Sequence, residues 1–411
     1  MNRNRRISAA AALTLAALVS GTGAGSAATT APAATSSVAS SVASSATSSA
    51  THAFDAVPAA ATAPTPTFHG ALPAPTGPYA AGESVLHLTD ADRPDPWVPS
   101  SGPRRLTVTM LYPAAPGTGT PAPYMTLAEA AGVLERRKLP ASAGVTPQNL
   151  SAVTTHAFDG ARPKGGKHPL VLLSPAYEDP RMTLTSLATD LASHGYVVAL
   201  VGHTYEDNGE TLADGRTPSC VICDDPTLSM DTVTASRALD VSFVIDRLTH
   251  GDTAWRLAHL IDRHAIGMAG HSLGGAAAAT TMTADPRIRA GVNMDGSFHP
   301  TPLPGRIDRP FLMLGTAADD HAAGGEWEQA WDALGGYRKW LTVTGADHFS
   351  FSDLDLLLEQ AGFPSSALSP ERGVALTRAY VTAFFDRALK GIDSPLLDGP
   401  SPDDPEVLFQ H

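Results

Sequence analysis

Ala265-Ile266-Gly267-Met268-Ala269-Gly270-His271-Ser272-Leu273-Gly274-Gly275 is an apolar run that closes on a glycine-flanked serine. Gly270 to Gly274 fit the pattern G-x-S-x-G, and Ala276 to Ala279 continue as a strong helix-forming run. Strand, tight turn and helix with a serine at the apex make a nucleophile elbow. The turn is too sharp for bulk two residues to either side of the serine, and Gly270 and Gly274 fill those places. Gly275 lets the helix sit close to the sheet. Small-residue loops containing serine are common, so the pattern alone is weak. Its place between a strand and a helix makes Ser272 the candidate nucleophile, with a plain strand-to-helix turn as the alternative.

Outward from the elbow, the chain alternates strand and helix. Pro169–Leu173 is a fully apolar strand followed by a helix over Leu184–His194, and Tyr196–Val201 is the next strand. A Gly/Pro/Asp-rich loop fills residues 204–230, and Val233–Leu248 has the apolar spacing of a long amphipathic helix. After the elbow, Ala290–Met294, Phe311–Leu314 and Trp340–Val343 read as strands, Glu326–Leu334 and Pro370–Lys390 as helices. Upstream, Ser84–Leu88 and Leu106–Tyr112 read as an antiparallel edge. Residues 117–150 hold one helix, Leu127–Arg137, which either covers the site or packs on the sheet edge. Residues 405–411 read as a closing strand. This rhythm predicts the α/β-hydrolase fold, a doubly wound, mainly parallel sheet with helices on both faces, as one catalytic domain over residues 67–411.

Residues 1–27 carry Arg3, Arg5 and Arg6, an apolar run from Ala9 to Val19, and small residues Gly25-Ser26-Ala27. That is a secretory signal peptide, so the protein is expected outside the cell. Arg5-Arg6 lacks the flanks of a twin-arginine signal. Residues 28–66 are an Ala/Ser/Thr-rich stretch without apolar periodicity, read as a disordered linker. No later stretch is apolar enough for a membrane span. The net charge of −13 grows more negative once the three arginines are removed, which argues against nucleic acid and anionic membranes as partners. The partner expected is a small lipid ester, met by a monomer with at most transient contact with a lipid interface.

The two cysteines, Cys220 and Cys223, are spaced C-x-x-C in a loop rather than at a helix start. Zinc needs two further ligands of the same kind in range. In a secreted chain the pair reads as a small local disulfide. No metal or cofactor is called for.

A serine needs a base, held in turn by a buried carboxylate, and the hydrolase order is Ser, acid, His at strand ends. His348 follows the last strand of the series, and His321 lies nearby. His348 is the stronger base because its loop reaches back over Ser272. Two strand ends offer an acid. Asp295 directly follows Ala290–Met294, and Asp319-Asp320 follow the next strand in an Ala-flanked run that reads as solvated. The residues favour Asp295 and leave Asp319 open. Asp347, beside His348, reads as structural. The oxyanion hole takes the amide of Leu273 and one from Ser174-Pro175-Ala176-Tyr177-Glu178. Pro175 has no N–H, which leaves Ala176 or, better placed, Tyr177.

Several further segments carry a resemblance: Leu72-Pro73-Ala74-Pro75-Thr76-Gly77-Pro78-Tyr79, Asp95-Pro96-Trp97-Val98-Pro99, Asp190-Leu191-Ala192-Ser193-His194-Gly195-Tyr196 and His348-Phe349-Ser350-Phe351-Ser352-Asp353. With the elbow, they make residues 70–411 similar to the platelet-activating factor acetylhydrolase family. The resemblance implies a serine esterase acting on short-acyl phospholipids or similar lipid esters, with Asp295 as the acid and an oxyanion amide at Tyr177. Where that family reads Ser-His-Gly, this chain has Ser174-Pro175-Ala176, so acetyl specificity does not carry over. Secreted triacylglycerol lipases and polyester hydrolases share the elbow and remain alternatives, as does a non-catalytic binding protein on the same fold.

Overall fold

A computed structural model describes residues 67–318 and 324–410. The signal-peptide and linker readings, over 1–27 and 28–66, lie outside the described residues. Those described fall in one compact unit.

Among the described residues, eleven strands form a single sheet. In chain order they are β1 (Ala80–Pro94), β2 (Pro103–Ala114), β3 (Thr120–Pro121), β4 (Ala157–Asp159), β5 (His168–Ser174), β6 (Val197–Val201), β7 (Ile261–His271), β8 (Ile288–Met294), β9 (Phe311–Thr316), β10 (Arg338–Val343) and β11 (Val407–Phe409). The spatial order is β11-β10-β9-β8-β7-β5-β6-β2-β1-β4-β3. The six strands from β10 to β6 are parallel, and β2 and β11 close that block antiparallel on either side.

Among the described residues, eight α-helices pack around the sheet: α1 (Leu127–Arg137), α2 (Pro147–Ser151), α3 (Thr185–Ser193), α4 (Met230–Thr249), α5 (Leu273–Ala284), α6 (Glu326–Ala333), α7 (Asp353–Gln360) and α8 (Pro370–Phe385). The central strands are mostly apolar because both of their faces are covered. Along β5, Leu170 and Leu172 pack with Val241, Val244 and Ile245 of α4 and with the alanines of α5. Val171 and Leu173, pointing the other way, pack with Leu187 and Leu191 of α3 and with Tyr380 and Phe384 of α8.

The sequence-predicted elements in this region are all present. α1 spans the expected residues because Thr126 and Glu129 form a capping box and Lys138 ends the helix at φ 51°. β1 runs much longer than Ser84–Leu88, pairing with β2 from Ala80↔Ala114 to Asp90↔Arg104. Its outer face is exposed, so its apolar pattern is thin. Gly82 sits beneath the Tyr112 ring, where an added Cβ would come within 2.3 Å. The strand beyond β1 is supplied by the short β4, with β3 outermost, so the β1–β2 pair is not the edge. α7 has no counterpart in the reading from sequence, where its Asp-Leu-Asp-Leu alternation obscures the helical period. Residues 370–390 are helical as expected, but the last turn, Asp386–Lys390, widens to a π-helix.

Candidate active site

At the elbow, Ser272 has φ 54° and ψ −123°, a conformation that costs a non-glycine residue roughly 1–3 kcal/mol and needs support from its surroundings. Its N–H donates to the carbonyl of Met294 on the neighbouring strand at 2.8 Å. Close packing explains the glycines. A Cβ on Gly270 would lie 2.1 Å from the Gly274 carbonyl carbon, and one on Gly274 would lie 2.0 Å from the Ser174 carbonyl oxygen. A Cβ on Gly275 would strike Asn293 Oδ1 at 1.9 Å. Leu273 begins α5, so its N–H has no carbonyl a turn earlier to bond.

Asp295 follows β8 and also has positive φ, 53°. Its N–H donates to the Leu314 carbonyl at 2.8 Å, and its Oδ1 accepts from the Thr316 amide at 2.7 Å. Its Oδ2 lies 2.5 Å from His348 Nδ1. Burial alone raises the Asp295 carboxyl, but the bond to His348 and its charge, with the Thr316 amide, outweigh burial and hold it below the usual range. His348 opens a short 3-10 turn after β10, with its side chain 36% exposed against 5% for Asp295. With Nδ1 occupied by the carboxylate, Nε2 is the ring's proton acceptor. Asp347 caps that turn, accepting from Phe349 N at 2.9 Å and Ser350 Oγ at 3.2 Å. The rival acids Asp319 and Asp320, and His321, lie outside the described residues.

One contributor has no part in the reading from sequence. His271, the variable residue of the elbow pattern, is fully buried, and its Nε2 donates to the His348 carbonyl at 2.6 Å. Burial first, then the charge of His348, push His271 down to about 3, so it is neutral near pH 7. The three strand ends are thereby linked in a ring. Ser272 N bonds beside Asp295, Asp295 bonds His348, and His348 bonds the residue next to Ser272.

The loop after β5 carries Tyr177. Its hydroxyl donates to the Ile222 carbonyl at 2.6 Å, and its ring packs in a small cluster with Leu273 and Ala276. Cys220 and Cys223, on the same side, are joined as a disulfide. Arg136 of α1 reaches Glu178 at 3.0 Å and Asp224 at 2.9 Å. Around it, Met125 and Ala130 pack with Phe68, Leu72 and Leu356. The segment 117–150 supplies the outermost strand of the sheet and is also tied to the loop beside the elbow.

The segments 72–79 and 190–196 contact each other. Thr76 N and Oγ1 both donate to Asp190 Oδ1, at 2.7 and 2.9 Å. Gly77 lies against Ser193, where a Cβ would come within 2.4 Å of its backbone. Asp95 accepts from Trp97 N, Val98 N and Arg104 Nη1, while Trp97 Nε1 donates to Glu206 at 3.1 Å. His203, Glu206 and Asp240 bring their oxygen and nitrogen atoms within 4.8 Å of one another. This cluster is committed to Arg104 and Arg237 rather than open to a cation.

A parallel sheet with a strained serine between strand and helix defines an α/β-hydrolase. The family model for platelet-activating factor acetylhydrolase, isoform II, matches residues 241–362. A probable 1-alkyl-2-acetylglycerophosphocholine esterase of Arthroderma benhamiae is 28% identical over 376 residues, covering 82% of this chain and 93% of its own length. The platelet-activating factor acetylhydrolase of Bos taurus is 25% identical, over 49% of this chain and 52% of its own. Among solved structures, a ferulic acid esterase from Streptomyces cinnamoneus is 39% identical, covers 83% of this chain and 99% of its own, and superposes with a TM-score of 0.74. The chain is similar to the platelet-activating factor acetylhydrolase family, and it is an esterase. Among the described residues no helix is long and apolar enough to cross a membrane.

Proposed function

We propose that this protein is an extracellular serine esterase that cleaves carboxylic esters through an acyl-enzyme. The observation that carries this reading is the linked ring of Ser272, Asp295, His348 and His271 at three strand ends. Ser272 Oγ attacks the ester carbonyl as His348 Nε2 takes its proton, and Asp295 orients the ring and stabilises its positive charge. The tetrahedral oxyanion is held by the amides of Leu273 and Tyr177, each worth roughly 3–4 kcal/mol of barrier. His348 then protonates the departing alcohol. Water, deprotonated by the same nitrogen, attacks the acyl-serine and releases the acid.

The substrate class in this reading is a lipid ester with a short acyl chain, as in the name of the fungal relative. A second reading is favoured by the 39% identity to the ferulic acid esterase, which makes a hydroxycinnamoyl ester the competing substrate. Relative kcat/KM on a short-acyl sn-2 phospholipid, methyl ferulate, tributyrin and a polyester film tests the assignment. The lipid reading expects the phospholipid to lead by at least an order of magnitude. Methyl ferulate leading would replace it with the second reading, and tributyrin or polyester leading would make the protein a lipase or polyester hydrolase. No turnover and no fluorophosphonate labelling would leave a binding protein on a hydrolase fold.

A further inference from the structure

Behind the loop that carries Tyr177 lies a second serine–histidine–aspartate line. Ser174 Oγ is 3.0 Å from His203 Nε2, and His203 Nδ1 is 2.9 Å from Asp240 Oδ2. All three are buried, so no substrate reaches this serine. The direction of each bond follows from the chemistry. Asp240 is held far below the usual carboxylate range, because Arg104 and His203 outweigh its burial, so it only accepts. His203 therefore donates from Nδ1 and accepts at Nε2 from the Ser174 hydroxyl. Burial first, and then the charge of Arg237, lower His203, consistent with that neutral form.

The remaining lone pair of Ser174 Oγ faces Arg237. This buried arginine of α4 donates from Nη1 to Ser174 Oγ at 3.3 Å and to the Pro175 carbonyl at 2.5 Å. It donates from Nη2 to the Ala176 carbonyl at 3.3 Å, while its Nε bonds Glu206 at 2.7 Å. One planar fork thus gathers three successive residues of the loop immediately before Tyr177. The same loop touches the elbow from the other side, since the Ser174 carbonyl packs against Gly274. Lysine keeps the charge but has no rigid fork to span two carbonyls.

We propose that Arg237 is a positioning residue for ester hydrolysis: it fixes the Ser174–Ala176 backbone so that the Tyr177 amide faces the oxyanion. The inference rests on the serine-esterase reading above. It also accounts for tolerance of Ser174-Pro175-Ala176 at this loop, because Arg237 grips a hydroxyl and two carbonyls, and proline and alanine supply carbonyls as well as any residue.

The test is steady-state hydrolysis of p-nitrophenyl acetate by wild type, Arg237→Met, Arg237→Lys and Ser272→Ala. Rates are expressed per active site titrated with a fluorophosphonate. Inhibition by an alkyl trifluoromethyl ketone, whose hemiketal oxyanion uses the same amides, is measured in parallel. Loss of a single oxyanion donor costs about 10²–10³ in kcat, and a displaced donor somewhat less. Arg237→Lys is therefore expected to lose about tenfold to a hundredfold in kcat with KM within about threefold, and to lose ketone affinity by a similar factor. Should Arg237→Met not fold, the lysine variant decides. Wild-type kcat per titrated site in Arg237→Lys, with activity abolished in Ser272→Ala, would overturn this inference alone. Undiminished turnover in Ser272→Ala would overturn the serine mechanism and this inference with it.

Discussion

His271 donates its Nε2–H to the backbone carbonyl of His348 at 2.6 Å, and the two rings lie 4.7 Å apart between centroids. The residue before the candidate nucleophile therefore anchors the loop of the candidate base. Leucine at position 271 keeps much of the volume and removes the donor. A neutral hydrogen bond contributes about 1 kcal/mol, so His271→Leu is expected to lower kcat roughly fivefold to tenfold with KM little changed. His271→Gln, which still carries an N–H donor, should recover most of that loss. Since His271 is pushed down to about 3, replacing it should not move the acid limb of the pH–rate profile measured above pH 5. A shifted limb, or an unchanged kcat in His271→Leu, would contradict the anchoring role.

The acid assignment separates Asp295, bonded to His348, from Asp347, which precedes His348 in the chain. Asp295→Asn keeps an oxygen for the Thr316 amide but presents His348 with a neutral partner, and is expected to cost about 10⁴ in kcat. Asp347→Asn keeps the cap on Phe349 N and should stay within about threefold of wild type. Circular dichroism would check that both variants fold. Near-normal kcat in Asp295→Asn would reassign the acid.

The Cys220–Cys223 disulfide closes a very short loop, for which chain entropy gives about 2 kcal/mol. Urea denaturation of Cys220→Ser/Cys223→Ser should show a loss no larger than that. Because Ile222 between them accepts the Tyr177 hydroxyl, kcat is also expected to fall, by about twofold to tenfold. Stability loss without any change in kcat would separate the disulfide from the loop's function.

Asp353, at the start of α7, is buried and accepts from Ser186 N at 3.2 Å with both oxygens. Burial raises it to about 7, against the opposing hydrogen bonds from Ser186 and the charge of Arg378. Its unfolded value is about 3.9, so between about pH 4 and 7 the folded protein holds a proton that the unfolded chain has lost. Its contribution to stability is therefore complete below about pH 4 and is lost as pH rises through 7. Urea unfolding should show wild type gaining on Asp353→Asn at pH 5 relative to pH 8. The reverse trend would contradict this environment for Asp353.

Much of the fold was legible because the central strands are covered on both faces and so read as mostly apolar runs. The elbow was legible for a different reason. Gly270, Gly274 and Gly275 each face an atom within about 2.1 Å of where a Cβ would stand, so the packing leaves a mark in sequence. Two classes of feature left less. The half-exposed β1 carries little periodicity, and neither does the three-residue β4, which with β3 took the sheet edge beyond the expected pair. Buried polar contacts such as His271 to His348 join residues 77 apart in the chain, with no local pattern. Arg237 and Asp240 did leave a trace, as charges on the same apolar face of α4 as Val233, Val241 and Val244. A charge on a buried helical stripe needs a partner.

The central claim is an acyl-enzyme at Ser272. Rapid-quench mixing with p-nitrophenyl acetate, followed by peptide mass mapping, measures it directly. The account predicts a burst of about one p-nitrophenol per active site and an acetyl group on the peptide at Ser272, both absent in Ser272→Ala. An acetyl group on another residue, or undiminished turnover in Ser272→Ala, would contradict it.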